Sequence, residues 1–116
     1  MSFEKDRQYK KDWVDSDTQR LILQGFAFDG STFPLDESSR NDYTGMKTLE
    51  GAIVWPVVLP TLAGGYYTLT DANLNGFLGA GLLVYRGYRE SGRLLKDQLD
   101  AATNETELND IDLSRS

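Results

Sequence analysis

The sequence predicts an α+β fold: short helix, β-hairpin, helix, β-hairpin, long C-terminal helix, short terminal helix. Three observations predict it. From Thr70 to Ala102 apolar or small residues recur in alternating steps of four and three, the spacing of a heptad seam. Asp29-Gly30 stands between FAF and STF, the strongest short signal for a tight hairpin turn. Between Trp55 and Leu69 the pattern changes to short β-rich runs, WPVVLP and YYTL, separated by a Gly-Gly pair.

The chain has 116 residues, enough for one modest core. Its formal net charge of −6 argues against a general affinity for a phosphate backbone. There is no cysteine, hence no disulfide framework and no thiolate chemistry, and no histidine, the commonest general base and neutral metal ligand. No apolar run reaches the length of a membrane span, and the first residues lack a signal-peptide core, so a soluble protein made without a secretion signal is expected.

Residues 1–15 read as a polar N-terminal arm, with Phe3, Tyr9 and Trp13 as its large apolar groups and Lys5, Arg7, Lys10 and Lys11 making it locally basic. Three aromatics favour docking of the arm, on its own chain or on a neighbour, over a free end. Residues 16–116 read as a single α+β domain. Ser16 or Asp17 can cap a short helix through Gln24, and Gly25 stands where such a helix stops in the left-handed conformation. Closing a type I′ turn at Asp29-Gly30 pairs Phe26 with Phe33 and Phe28 with Ser31, so three phenylalanines share one face. Asp36 is the expected cap of a second helix with Tyr43, Met46, Leu49 and Ile53 in one stripe. A turn at Gly64-Gly65 would place Val58, Pro60, Leu62, Tyr67 and Leu69 on a common face. Asn104 with Glu107 fits a capping box for a last short helix.

The long helix begins at Thr70, whose hydroxyl can accept from a free backbone N–H, with Leu69 and Leu74 as a hydrophobic staple. Its inward positions are Leu74, Leu78, Gly81, Tyr85, Tyr88, Gly92, Leu95, Leu99 and Ala102. Glycine at Gly81 and Gly92 costs helix stability, roughly 1 kcal/mol each against alanine. The missing side chains let something approach closely: an element of the same monomer, an identical chain, or the inside of a kink.

No motif points to catalysis. Gly76-x-x-Gly79-x-Gly81 follows a helix cap instead of a strand and lacks the lysine of a phosphate loop. Asp12, Asp15 and Asp17 lack the spaced ligands, central glycine and closing glutamate of a calcium loop. Ser38 and Ser39 have no histidine to activate them. The expectation is a protein that is not an enzyme, with no cofactor, no metal and no small-molecule substrate.

The run Leu21-Ile22-Leu23-Gln24-Gly25-Phe26-Ala27-Phe28-Asp29-Gly30-Ser31-Thr32-Phe33, then Asp36 with Ser39, Trp55, a short hairpin, Leu69-Thr70 opening a long helix and Leu95–Thr103 closing it, resembles a small domain family of unknown function. That family is met in tail-fibre and tail-associated proteins of tailed bacteriophages. The resemblance spans about residues 18–111. It implies a structural component of the virion at the tail, baseplate or fibre attachment, assembled in the host cytoplasm, with copies of itself, as a trimer, and other virion proteins as partners. A tail-fibre assembly chaperone absent from the mature particle is the alternative, and a small enzyme or wall-binding factor the third reading. The expected interface residues are Phe3, Tyr9, Trp13, Gly81, Tyr85, Tyr88 and Gly92. No contact with nucleic acid or membrane is expected.

Overall fold

The computed structural model describes residues 2–115 and is α+β. Helix α1 (Phe3–Leu23) is followed by the hairpin β1 (Phe26–Phe28) and β2 (Ser31–Phe33), helix α2 (Glu37–Thr48), and the hairpin β3 (Val57–Pro60) and β4 (Tyr66–Leu69). A 3-10 turn, Asp71–Asn73, then leads into α3 (Leu74–Ala101), and α4 (Glu105–Asn109) closes the order. Each sheet is a two-stranded antiparallel ribbon. The chain forms two compact units. One combines the residues up to Leu21 with those from Arg86 onward; the other is the continuous stretch Ile22–Tyr85.

The first unit corrects the expected arm. Residues 3–15 are helical, and Ser16 and Asp17 lie inside α1 instead of capping it. No glycine or proline interrupts residues 2–24, and side chains one turn apart support the helix: Arg7 pairs with Glu4, and Gln8 donates to Asp12. Contacts distant in sequence hold it down. The Arg7 guanidinium donates to the carbonyls of Leu99 (3.0 Å) and Ala102 (2.6 Å), satisfying the free carbonyl end of α3 with a positive charge. Lys11 pairs with Asp100 and Lys96 with Asp15. Val14, Leu99, Ala102 and Leu108 form a small buried core, with Phe3, Leu95, Ile111 and Leu113 packed against it. Arg115 donates to the Val14 and Tyr88 carbonyls, to Thr18 Oγ1 (2.8 Å) and to Ser91 Oγ (2.9 Å). It also lies 3.4 Å from the buried Asp17 carboxylate, which Arg20 contacts at 2.7 Å.

The second unit is built on aromatic rings. Gly25 ends α1 with φ at 77°, and its N–H donates to the Ile22 carbonyl. A side chain there would strike the Phe33 carbonyl oxygen, 2.2 Å from the position of a Cβ. The β1–β2 register is the expected one, Phe26 opposite Phe33 and Phe28 opposite Ser31, with positive φ at Asp29 and Gly30. Phe26 and Phe33 are buried and Phe28 is half-buried. Phe77 of α3 completes the cluster: its ring centroid lies 5.2 Å from Phe26, 5.6 Å from Phe28 and 5.0 Å from each of Phe33 and Tyr43.

The second hairpin departs from the expected register. Pro60 pairs with Tyr66, and residues 61–65 form a five-residue loop. Only Gly64 takes positive φ, whereas a two-residue type I′ turn requires it at both positions. The loop is closed by the Thr61 N–H on the Gly65 carbonyl and the Gly65 N–H on Thr61 Oγ1, and the Leu62 N–H donates to the Thr32 carbonyl of β2. This odd shift of three exchanges the faces of β3. Leu59 and Leu69 point inward, while Val58, Pro60 and Leu62 are exposed.

Two helix starts also differ in detail. Thr70 makes no side-chain cap bond, because the 3-10 turn places its carbonyl on the Asn73 N–H instead. Leu69 and Leu74 are nonetheless both fully buried, as a staple requires. Asp36 occupies the N-cap of α2, but its carboxylate accepts from the Ser39 hydroxyl (2.6 Å). That bond holds the Asp36 carboxyl below its usual pKa, with the Arg40 charge a smaller contributor. Leu49 and Ile53 lie beyond the end of α2 at Thr48, so the expected stripe reduces to Tyr43 and Met46, both half-buried.

Candidate functional site

The second unit carries a groove between α2 and the first half of α3, with a volume of about 470 Å³. That is within the usual range for binding clefts. Sequence places its walls. Arg40, Tyr43, Thr44 and Lys47 recur at three- and four-residue steps on α2, and Leu78, Gly81, Leu82 and Tyr85 do so on α3. Phe26 and Phe77 contribute the aromatic core beneath, and Leu35 lies before the α2 cap.

Gly81 makes this geometry possible. A Cβ at that position would stand 3.1 Å from the Phe26 ring, tighter than ordinary contact, so the bare backbone lets the ring lie against the helix. The Tyr43 ring meets Phe26 and Phe77 in T-shaped contacts, while its hydroxyl donates to the Pro34 carbonyl (2.8 Å). Burial pushes the Tyr43 hydroxyl up to about 12, so it stays a neutral donor.

Two cations line the groove. The Arg40 guanidinium lies 4.5 Å from the centroid of the Tyr85 ring and donates to the Leu35 carbonyl, which fixes it in place. Lys47 bonds to Glu50 (2.8 Å) and Asn75 (3.1 Å). No carboxylate is among the groove's lining residues. An apolar floor with a fixed guanidinium and an ammonium at its wall can hold an apolar group and receive a neighbouring negative charge. It offers no nucleophile with an adjacent base. Among the described residues no group of three or more Asp or Glu is placed to hold a metal ion, and no helix is long and apolar enough to cross a membrane.

The structure brings two of the expected interface residues, Gly81 and Tyr85, into this groove. It also corrects the part expected of both glycines. Gly81 is covered by Phe26. Gly92 is buried in the other unit, where a Cβ would meet Thr18 Oγ1 at 2.7 Å and Arg115 Nη1 at 3.3 Å. The close approach each allows is therefore made by its own chain, and neither is open to an identical one. Phe3 is half-buried on the Val14 core, with the Arg7 guanidinium 4.4 Å from its ring centroid. Tyr88 is half-buried. Tyr9 and Trp13 stand out from α1, 69% and 42% exposed.

Sequence reasoning missed Phe77 and Arg40. Phe77 was legible in principle: steps of three and four also run Leu74, Phe77, Gly81, Tyr85, Tyr88. Arg40 gave no signal, because its stacking on Tyr85 joins residues far apart in the chain. Comparison with protein families, with curated proteins and with solved structures finds no match.

Proposed function

We propose that this chain is a structural component of a tailed-phage virion, at the tail, baseplate or fibre attachment, acting through contacts with copies of itself and with other virion proteins. The resemblance of residues 18–111 to a tail-associated domain family supplies the setting. The observation that carries the contact role is the open groove between α2 and α3, whose apolar and aromatic lining includes Phe26, Leu78, Tyr85 and the 52% exposed Leu82. Contiguous apolar surface of this kind marks contact sites in soluble proteins. The chemistry of the lining favours association over turnover: rings, aliphatic groups and two cations supply buried contact and orientation, with no acid–base pair across the groove.

A mass-spectrometric inventory of purified particles tests the reading. A virion component is recovered in constant ratio to the other tail proteins through successive purification steps. Recovery from infected lysate together with absence from particles would replace this reading with that of an assembly chaperone.

A further inference from the structure

We infer that the cleft between α1 and α3 is an arginine-binding site: Arg115 fills it in this chain, and an arginine carried by a partner polypeptide takes its place when residues 111–115 lift away. The site lies within the unit formed by the chain's outer segments. Three features carry it: acceptors oriented in advance, a buried carboxylate left incompletely satisfied, and an occupant borne on a segment without regular structure.

The two helices present the same small device. Thr18 Oγ1 donates to the Val14 carbonyl (2.9 Å) on α1, and Ser91 Oγ donates to the Tyr88 carbonyl (3.0 Å) on α3. Each hydroxyl has spent its proton on its own helix, so toward the cleft it can only accept. The guanidinium bridges the two pairs. Nη2 donates to the Val14 carbonyl and Thr18 Oγ1, and Nη1 donates to the Tyr88 carbonyl and Ser91 Oγ. A planar fork with two separated nitrogens fits acceptors divided in this way, whereas a compact ammonium does not. Gly92 keeps the cleft open, since a Cβ there would stand 2.7 Å from Thr18 Oγ1 and 3.3 Å from Arg115 Nη1.

Asp17 supplies the charge. Its side chain is 6% exposed, and Arg20 holds Oδ1 at 2.7 Å. Oδ2 stands 3.4 Å from Arg115 Nη2 and makes no hydrogen bond among the described residues. Arg115 Nε is likewise buried without a hydrogen-bond partner among them. A donor and an acceptor left over in one buried pocket are a cost that the tethered occupant does not remove. An arginine entering on a different backbone is free to turn a nitrogen toward Oδ2.

The site also outlasts its occupant. Residues 111–115 form neither helix nor strand, and Asp112 accepts from Ser114 of the same segment. Other ties join α1 to α3: Lys11 with Asp100, Lys96 with Asp15, and Arg7 on the Leu99 and Ala102 carbonyls. Departure of Arg115 therefore leaves the two acceptor pairs facing each other.

Arg115→Ala titrated with N-acetylarginine amide, and with the matching lysine and citrulline compounds, tests this. Amide chemical shifts of residues 14–18 and 88–92 read the binding. The arginine compound should saturate, with its shifts centred on those two segments. It should bind the wild-type chain at least about tenfold more weakly, because the tethered Arg115 competes at an effective concentration on the order of millimolar. The lysine and citrulline compounds should also bind at least about tenfold more weakly, one lacking the fork and the other the charge. Adding Asp17→Asn to Arg115→Ala should weaken arginine binding by a similar factor. If Arg115→Ala is unfolded, the arginine compound should refold it and the lysine compound should not. Failure to saturate, an equal response to lysine or citrulline, equal affinity for the wild-type chain, indifference to Asp17→Asn, or an unfolded variant that arginine does not restore would each overturn the inference.

Discussion

The two compact units are held together by different physics. The unit formed by Ile22–Tyr85 is organised by ring packing: Phe26, Phe33 and Phe77 are buried, and Phe28, Tyr43 and Tyr67 pack edge-on around them. The unit formed by the chain's outer segments has a small aliphatic core, and much of its closure is made by cations reaching carbonyls and carboxylates. Arg7 reaches the carbonyls of Leu99 and Ala102, and Arg115 those of Val14 and Tyr88. Dispersion and water exclusion tolerate approximate placement and scale with area. Charge-assisted bonds demand placement and leave a costly remainder when one partner is lost.

The sharpest way to break this comparison is at Phe77. It is fully buried and touches four other rings, so Phe77→Ala should destabilise the protein by about 3–5 kcal/mol. Urea unfolding followed by near-ultraviolet circular dichroism measures the loss, and the aromatic signal should report it strongly. Next in size is Arg115→Ala, which removes the bonds to Thr18, Ser91 and two carbonyls and leaves Asp17 with Arg20 as its remaining cation. About 2–3 kcal/mol is expected. Amide exchange should quicken in residues 3–18 and 88–101 before it does in the hairpins. Equal quickening throughout would show that the two units do not open separately.

The smallest effect lies at the start of α4. Asn104 accepts from the Glu107 N–H, so Asn104→Ala should cost about 1 kcal/mol. Glu107 reaches back to the Thr103 N–H and hydroxyl, and the backbone bond first, then the hydroxyl, hold its carboxyl below the usual pKa. A folded-state pKa below the unfolded one adds stability above the ordinary carboxylate range and loses it as pH falls through the folded value. Glu107→Gln should therefore narrow the gap in melting temperature between pH 7 and pH 3. An unchanged gap would remove this carboxylate from the acid response.

What was legible in the sequence follows the same division. The β1–β2 register, the Gly25 stop, the Leu69–Leu74 staple and the Asn104 cap all depend on residues a few places apart, and local geometry decides them. The seam of α3 was legible for the same reason: Leu74, Gly81, Gly92, Leu99 and Ala102 are all buried. The helical state of residues 3–15 was not, because its stabilising partners lie at Leu99, Asp100 and Ala102, beyond any local window. The β3–β4 register failed at a choice between two plausible turns, which Thr61 decided by closing a longer loop. In the candidate site, the wall on α3 was partly legible through Gly81 and Tyr85. On the α2 wall Tyr43 was legible in the expected stripe, whereas Arg40 was not, since its stacking partner Tyr85 lies far along the chain.

Gly92 has a consequence for how such a sequence can drift. The space its missing side chain leaves is filled by Thr18 from one segment and Arg115 from another. A methyl group at 92 requires Thr18 Oγ1 and the Arg115 guanidinium to shift, and displacement of Arg115 weakens its contact with the buried Asp17 carboxylate. Positions 18, 92 and 115, remote in the chain, are therefore coupled: what residue 92 can become depends on what stands at 18 and 115.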